Sequence, residues 1–157
     1  MKFHILWLLS TNPNKMSLKY VSYMSNQALI LKEDDIERLL FQIREKNKKL
    51  AITGLLLLIQ GKFIQYIEGP EEEIENVYKK IKSDPRHNQL ILLDSGDIDD
   101  RQFKDWSMAY RKIEDDVVEN ITGYKNLELD NLFLKPYEEG THPVLKVLYN
   151  FTKALSS

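Results

Sequence analysis

Gln65 stands in the middle of an apolar stretch, Phe63-Ile64-Gln65-Tyr66-Ile67-Glu68-Gly69. A carboxamide buried there must place two N–H donors and a carbonyl acceptor, and leaving them unpaired costs about 1–3 kcal/mol. Either the fold satisfies Gln65 internally, or a ligand with a polar edge docks against it. The period of two along a strand sets Phe63, Gln65 and Ile67 on one face, and Val21 and Tyr23 on one face of the segment Lys19–Ser25. By the same count Trp106 and Met108 share a face of a late strand, and Asn47 falls just beyond a first helix. A site bounded by these residues holds a phenol, two carboxamides, a thioether and an indole, with no paired carboxylates and no nucleophile–base pair. That set suits gripping a flat heteroaromatic ring by its polar edge better than hydrolysing a bond. Each member taken singly also has an ordinary reading. Tyr23 can be a core tyrosine with a satisfied hydroxyl, Asn47 a helix C-cap, Trp106 and Met108 packing, and Arg86-His87 a polar turn.

The elements that must position these groups follow from periodicity. Lys19–Ser25 is short and rich in Tyr, Val and Ser, as strands are, with Tyr20, Ser22 and Met24 on its other face. Ile36, Leu39, Leu40 and Ile43 recur at i, i+3, i+4 and i+7, the stripe of an amphipathic helix. Glu33, Asp34 and Asp35 precede that stripe, and the basic cluster Arg44–Lys49 closes it, each favourable to the helix dipole. The continuously apolar Leu55–Ile59 predicts a strand covered on both faces, Gln60-Gly61 a tight hairpin, and Phe63–Glu68 its antiparallel return. Gly69-Pro70 opens a second helix, with Glu71, Glu72 and Glu73 in its first turn and Ile74, Val77, Tyr78 and Ile81 as its stripe. It should stop near Asp84-Pro85. Leu90–Leu93 and Trp106–Tyr110 read as the last two strands.

The order is therefore βαββαββ, an α+β, ferredoxin-like plan: a five-stranded mixed sheet with two helices on one face. The other face carries Tyr20, Met24, Ile64 and Tyr66, which the two helices cannot cover. A C-terminal helix bearing Val144, Leu145, Val147, Leu148, Phe151 and Leu155, or a second subunit, is expected on or near that face. Residues 1–16 read as an N-terminal extension, 17–111 as the folded domain and 112–157 as a C-terminal helical extension.

Composition narrows the function. The chain has 157 residues, a formal net charge of −2 and no cysteine. No overall field recruits nucleic acid directly or an acidic membrane, thiol and disulfide chemistry is excluded, and a reducing cytoplasm is the expected setting. The apolar Phe3–Leu9 is too short to span a bilayer. His4, His87 and His142 lack metal-ligand spacing.

In combination these segments resemble the BLUF family, blue-light sensors using FAD. The stretches that carry the resemblance are Tyr23-Met24-Ser25, Asn47 followed by Ile52-Thr53-Gly54-Leu55-Leu56, Phe63 to Gly69, Asp84-Pro85-Arg86-His87, and Arg101-Gln102-Phe103-Lys104-Asp105-Trp106-Ser107-Met108. They come in the family's order and span about residues 17–111. The resemblance implies a flavin, FAD with FMN possible, held between the two helices over the sheet. It implies Asn47 at the ring's carbonyl edge, Gln65 between that edge and the Tyr23 hydroxyl, and Trp106 and Met108 close by. It further implies Lys80, Asp84, Arg86 and His87 near the outer ring edge and tail. Tyr23 would supply an electron and a proton through Gln65, with no substrate turned over; a downstream signalling protein would receive the change, and the chain is expected to form a homo-oligomer. Lys46 occupies a position where the family varies, Ser22 is polar in a strand stretch that is commonly apolar, and Tyr20 is a rival tyrosine. Two other readings share the plan. An acylphosphatase-like small hydrolase would need an anion-cradling loop with an arginine after the first strand, and Asn26–Leu31 has neither an arginine nor a glycine. A light-insensitive binding or dimerisation domain would keep the shape without the flavin.

Overall fold

The computed structural model describes residues 17–114. Strand β1 (Leu18–Gln27) leads to helix α1 (Glu33–Leu50), then to the hairpin β2 (Thr53–Ile59) and β3 (Lys62–Pro70). Helix α2 (Glu71–Lys82) follows, then β4 (His87–Ile98) and β5 (Ala109–Ile113). The strands lie in the order β4-β1-β3-β2-β5. β1 runs antiparallel to both β3 and β4, β3 antiparallel to β2, and only β5 is parallel to its neighbour, β2. This is the expected ferredoxin-like βαββαβ unit with a fifth, parallel strand added at the edge.

Local sequence accounts for most of it. α1 begins with Glu33, Asp34 and Asp35 and ends with Lys48 and Lys49, complementing its dipole at both ends. Ala51 closes it in the left-handed conformation, with φ 56° and ψ 39°. Gln60 and Gly61 both take positive φ, 53° and 74°, as the tight turn between twisted strands requires. Pro70, extended at φ −56° and ψ 135°, stands just before the first turn of α2 rather than inside it. The helix stripes pack on the sheet through one core: Val21, Leu40, Ile52, Leu56, Ile67, Ile74 and Met108, flanked by Ile36, Ile43, Leu50, Val77, Tyr78 and Ile81. Burying each aliphatic side chain of this kind contributes about 1.5–3 kcal/mol.

β2 is buried on both faces, as its unbroken apolar run predicts. On the face away from the helices, Met24, Ile64, Tyr66, Leu55, Leu57 and Ile59 are all buried. There the Tyr66 ring stacks on Tyr20 at 5.6 Å and meets Phe103 edge-on at 5.3 Å. The expected N-terminal extension, the C-terminal helices and their packing on this face lie outside the described residues.

Three expectations need correction. β4 runs from His87 to Ile98 instead of Leu90–Leu93, because backbone pairing with β1 continues past the apolar residues, through register shifts and a positive φ at Gln89. β5 starts at Ala109, so Trp106 and Met108 precede it instead of sharing its face. Asn47 lies in the last turn of α1 rather than beyond it, since the helix continues through the basic cluster to Leu50.

Candidate functional site

Register builds the floor of the site. Tyr23 on β1 pairs with Gln65 on β3, which pairs in turn with Leu56 on β2. Directly opposed residues on neighbouring strands point to the same face, here the face beneath the two helices. Above this row lies a cavity of about 270 Å³. Leu39, Ile43, Lys46, Asn47 and Leu50 of α1 form one wall, and Val77, Lys80 and Ile81 of α2 form the other. Asp84, Arg86 and His87, which follow α2, close one end. The cavity is largely apolar, with polar groups on the floor, at that end, and at Lys46, Asn47 and Lys80 on the walls.

Within the floor, the Tyr23 hydroxyl donates to Gln65 Oε1. Gln65 Nε2 donates to Met108 Sδ at 3.5 Å. All three residues are buried, each 5% exposed or less. Ser22 supports the strand from behind by donating to the Gln65 backbone carbonyl at 3.1 Å. Burial, and after it the negative charge of Asp84, pushes the Tyr23 hydroxyl well above the ordinary tyrosine range. The phenol is therefore a fixed donor that does not lose its proton to solvent.

Asn47 donates from Nδ2 to the Ser107 carbonyl at 2.6 Å. Its hydrogen bond thus reaches the connection between β4 and β5 and does not cap its own helix. Arg44, one turn earlier, donates from Nε to the Met108 carbonyl at 2.9 Å. At the far end Arg86 grips Asp84 through its backbone N–H at 3.0 Å and through Nε at 2.9 Å and 3.0 Å. That grip holds the Asp84 carboxyl below the usual carboxylate range and the guanidinium above its own. His87 meets the Ile81 carbonyl through Nε2 at 2.5 Å and Ser25 Oγ through Nδ1 at 2.7 Å. A carbonyl only accepts, so Nε2 carries a ring hydrogen. The imidazole lies edge-on to Tyr23, with ring centres 5.9 Å apart.

Of the nine residues singled out in the sequence, Tyr23, Asn47, Gln65, Lys80, Asp84, Arg86 and His87 all line the cavity. Met108 stands behind Gln65, in contact with its amide. Trp106 is the exception: it is 39% exposed and stacks on Phe103 at 5.5 Å, away from the cavity. Its backbone explains the placement, because the Trp106 carbonyl is taken by the Gly54 N–H at 2.8 Å before β5 begins. The rival Tyr20 points to the opposite face and donates to Asp94. Sequence reasoning missed Arg44, which it placed only among the basic residues that close α1. Its i, i+3 spacing to Asn47 was the available signal.

The loop that an acylphosphatase would use is not an anion cradle here. The Gln27 N–H is bonded to the Gly61 carbonyl at 2.9 Å and the Ala28 N–H to the Arg86 carbonyl at 3.1 Å.

Comparison with known proteins bears on the fold and the family. The family model described as "BLUF: Sensors of blue-light using FAD" matches residues 18–109, more than half of the chain. A photoactivated adenylate cyclase subunit beta of Euglena longa is 30% identical over 94 residues, covering 59% of this chain and 11% of that protein. The chain spans roughly a tenth of the length of such curated relatives. Among solved structures, the dark state of BlrB, a BLUF protein, aligns with a TM-score of 0.69 at 27% identity, covering 88% of this chain and 98% of that one. Klebsiella pneumoniae BlrP1 with FMN and cyclic diGMP aligns with a TM-score of 0.58 at 30% identity, over 74% of this chain and 32% of that one.

Proposed function

The chain belongs to the BLUF family, the sensors of blue light using FAD, and from that membership we propose that Tyr23 and Gln65 carry its photochemistry. The observation that carries the reading is the buried chain of donors and acceptors Tyr23–Gln65–Met108, whose Tyr23 and Gln65 line the floor of a cavity between two helices.

The residues fit a flavin. The cavity is slightly smaller than the ~300–1,000 Å³ usual for small-molecule sites, which suits a planar ring system with the rest of a larger cofactor outside. Leu39, Ile43, Leu50, Val77 and Ile81 would cover the ring's faces, while Gln65 and Asn47 would meet its polar edge. Lys80 on the α2 wall and Arg86 at the end of the cavity favour FAD or FMN, with their phosphates, over a neutral ring. FAD is our choice, from the family's description; BlrP1, recorded with FMN, keeps the shorter cofactor as the alternative.

When bound, the flavin supplies blue-light absorption and an excited state able to take an electron from a phenol. With a flavin bound, Tyr23 would give up an electron and, as its Oη became strongly acidic, a proton toward Gln65 Oε1, the atom it already bonds. Gln65 would relay the proton, taking it at Oε1 and giving one from Nε2 to the bound ring that took the electron; on return its amide could settle with Oε1 and Nε2 in exchanged roles. When the electron and proton return to Tyr23, the amide is left in a new arrangement and nothing is consumed. Met108 Sδ, which accepts from Nε2 in the structure, then loses or changes its partner. Methionine repacks readily, so the change passes into the β4–β5 connection.

We assign the output to a partner protein or to a second copy of the chain. The relatives named as adenylate cyclases extend far beyond the matched segment, and the activity in their names is not assigned to this chain. Among the described residues no helix is long and apolar enough to cross a membrane.

The test is the Tyr23→Phe variant beside the parent. The expected result is that both purify with flavin, released as FAD on denaturation, and that only the parent shows a light-induced spectral shift. A normal photocycle in Tyr23→Phe would remove Tyr23 from the mechanism, and released FMN would overturn the choice of FAD.

A further inference from the structure

Glu68 is a carboxylate with no exposed surface, and the photochemistry described above does not use it. It lies three residues beyond Gln65 on β3, so the two side chains leave the strand on opposite faces. Both nevertheless reach the same connection between β4 and β5. Glu68 Oε1 accepts from the Phe103 N–H at 2.6 Å and from Thr53 Oγ1 at 3.1 Å. Glu68 Oε2 accepts from the Gln102 N–H at 2.8 Å and from Tyr66 Oη at 3.1 Å. Each oxygen thus takes one backbone amide and one hydroxyl, and bonds to a charged acceptor are the stronger kind.

Five residues further along, the same segment delivers its functional atoms. The Ser107 carbonyl is held by Asn47 and the Met108 carbonyl by Arg44. Met108 Sδ meets Gln65. Of these ties, only the last depends on how the Gln65 amide is arranged. The remainder form a frame, and Glu68 anchors the end of that frame farthest from the cavity.

We propose that Glu68 is a positioning residue: its carboxylate fixes Gln102 and Phe103 and thereby sets where Met108 meets Gln65. The proposal rests on the photochemical reading above and extends it to the part that resists the change. A firmly anchored segment holds Met108 in whichever of two arrangements Gln65 dictates. A loosened one lowers the barrier between them.

Glu68→Gln tests this with almost no change in volume. One oxygen becomes an NH₂ that faces a backbone N–H and cannot accept from it, whereas the two hydroxyls can rotate to suit. The variant therefore loses one backbone anchor specifically. Two readouts are taken on the full chain. In the dark, amide hydrogen exchange at Gln102 and Phe103 should accelerate by about tenfold. After illumination, return to the dark spectrum should be faster by about tenfold, with flavin still bound. Unchanged exchange at both amides, or recovery as slow as the parent's, overturns the role of Glu68. A parent that shows no light response while its variant loses exchange protection overturns the photochemical reading and leaves the anchor standing. Should Glu68→Gln fail to fold, Thr53→Val removes one hydroxyl donor to the same carboxylate and should shift both readouts in the same direction by a smaller factor.

Discussion

Burial and the nearby charge of Asp84 keep the Tyr23 hydroxyl protonated far above the pH at which tyrosine usually ionises. The pairing is directional as a result: a phenol that keeps its proton must donate, and Gln65 Oε1 must accept. The charged and titratable groups around that hydroxyl are Asp84, Arg86, Tyr78 and His87. Asp84 is held ionised by Arg86. The donor thus stays in one protonation state, and the light-induced spectral shift should keep its amplitude from about pH 7 to about pH 9, below even an unperturbed tyrosine. Steady-state light-minus-dark spectra across that range check it, and an amplitude lost with a midpoint below about pH 9 would show that Tyr23 ionises. The same shift affects stability with a definite sign. The raised folded-state pKa of Tyr23 costs nothing below about pH 10, and stability falls above it as unfolded tyrosines ionise. At this scale the sequence was informative, since an amide between Phe63 and Ile67 demanded a partner and parity supplied Tyr23. It misplaced the Trp106 side chain, because a strand's parity says nothing once the residue lies before the strand.

Helices and strands carry these side chains to the site, and their ends decide the accuracy. Asn47 reaches Ser107 because α1 continues to Leu50 and is stopped by Ala51. No glycine or proline marks that stop. A left-handed alanine is a cost of order 1 kcal/mol relative to glycine, so Ala51→Gly should raise stability by about that amount in denaturant titration without altering light response. A loss of stability would mean that the left-handed closure is not present in solution. The helices, the hairpin and β2 were legible because apolar spacing and turn residues act locally. The extents of β4 and β5 were not. β4 has no buried residue and is bulged, which erases alternation. The start of β5 is set by distant contacts, the Glu68 carboxylate on Gln102 and Phe103 and the Gly54 amide on Trp106.

For the molecule as a whole, the arrangement is a sheet with a cavity over one face and a connection gripped from both. β3 is central to both functions: Gln65 leaves it toward the cavity and Glu68 toward the other face. A rearrangement at one amide can therefore reach the β4–β5 connection without any movement of the core strands. Two-state elements of this sort turn small shifts into signals. The fold plan was readable from the order of elements, whereas the grip of Glu68 on the connection required coordinates, since no spacing rule links residues 68 and 102. The claim on which the account rests is that Gln65 relays the proton. Light-minus-dark absorption spectra of the parent and of Gln65→Leu test it most directly. The account predicts a reversible red shift in the parent and a flavin-loaded variant with none. A Gln65→Leu protein that binds flavin and shifts as the parent does would contradict it.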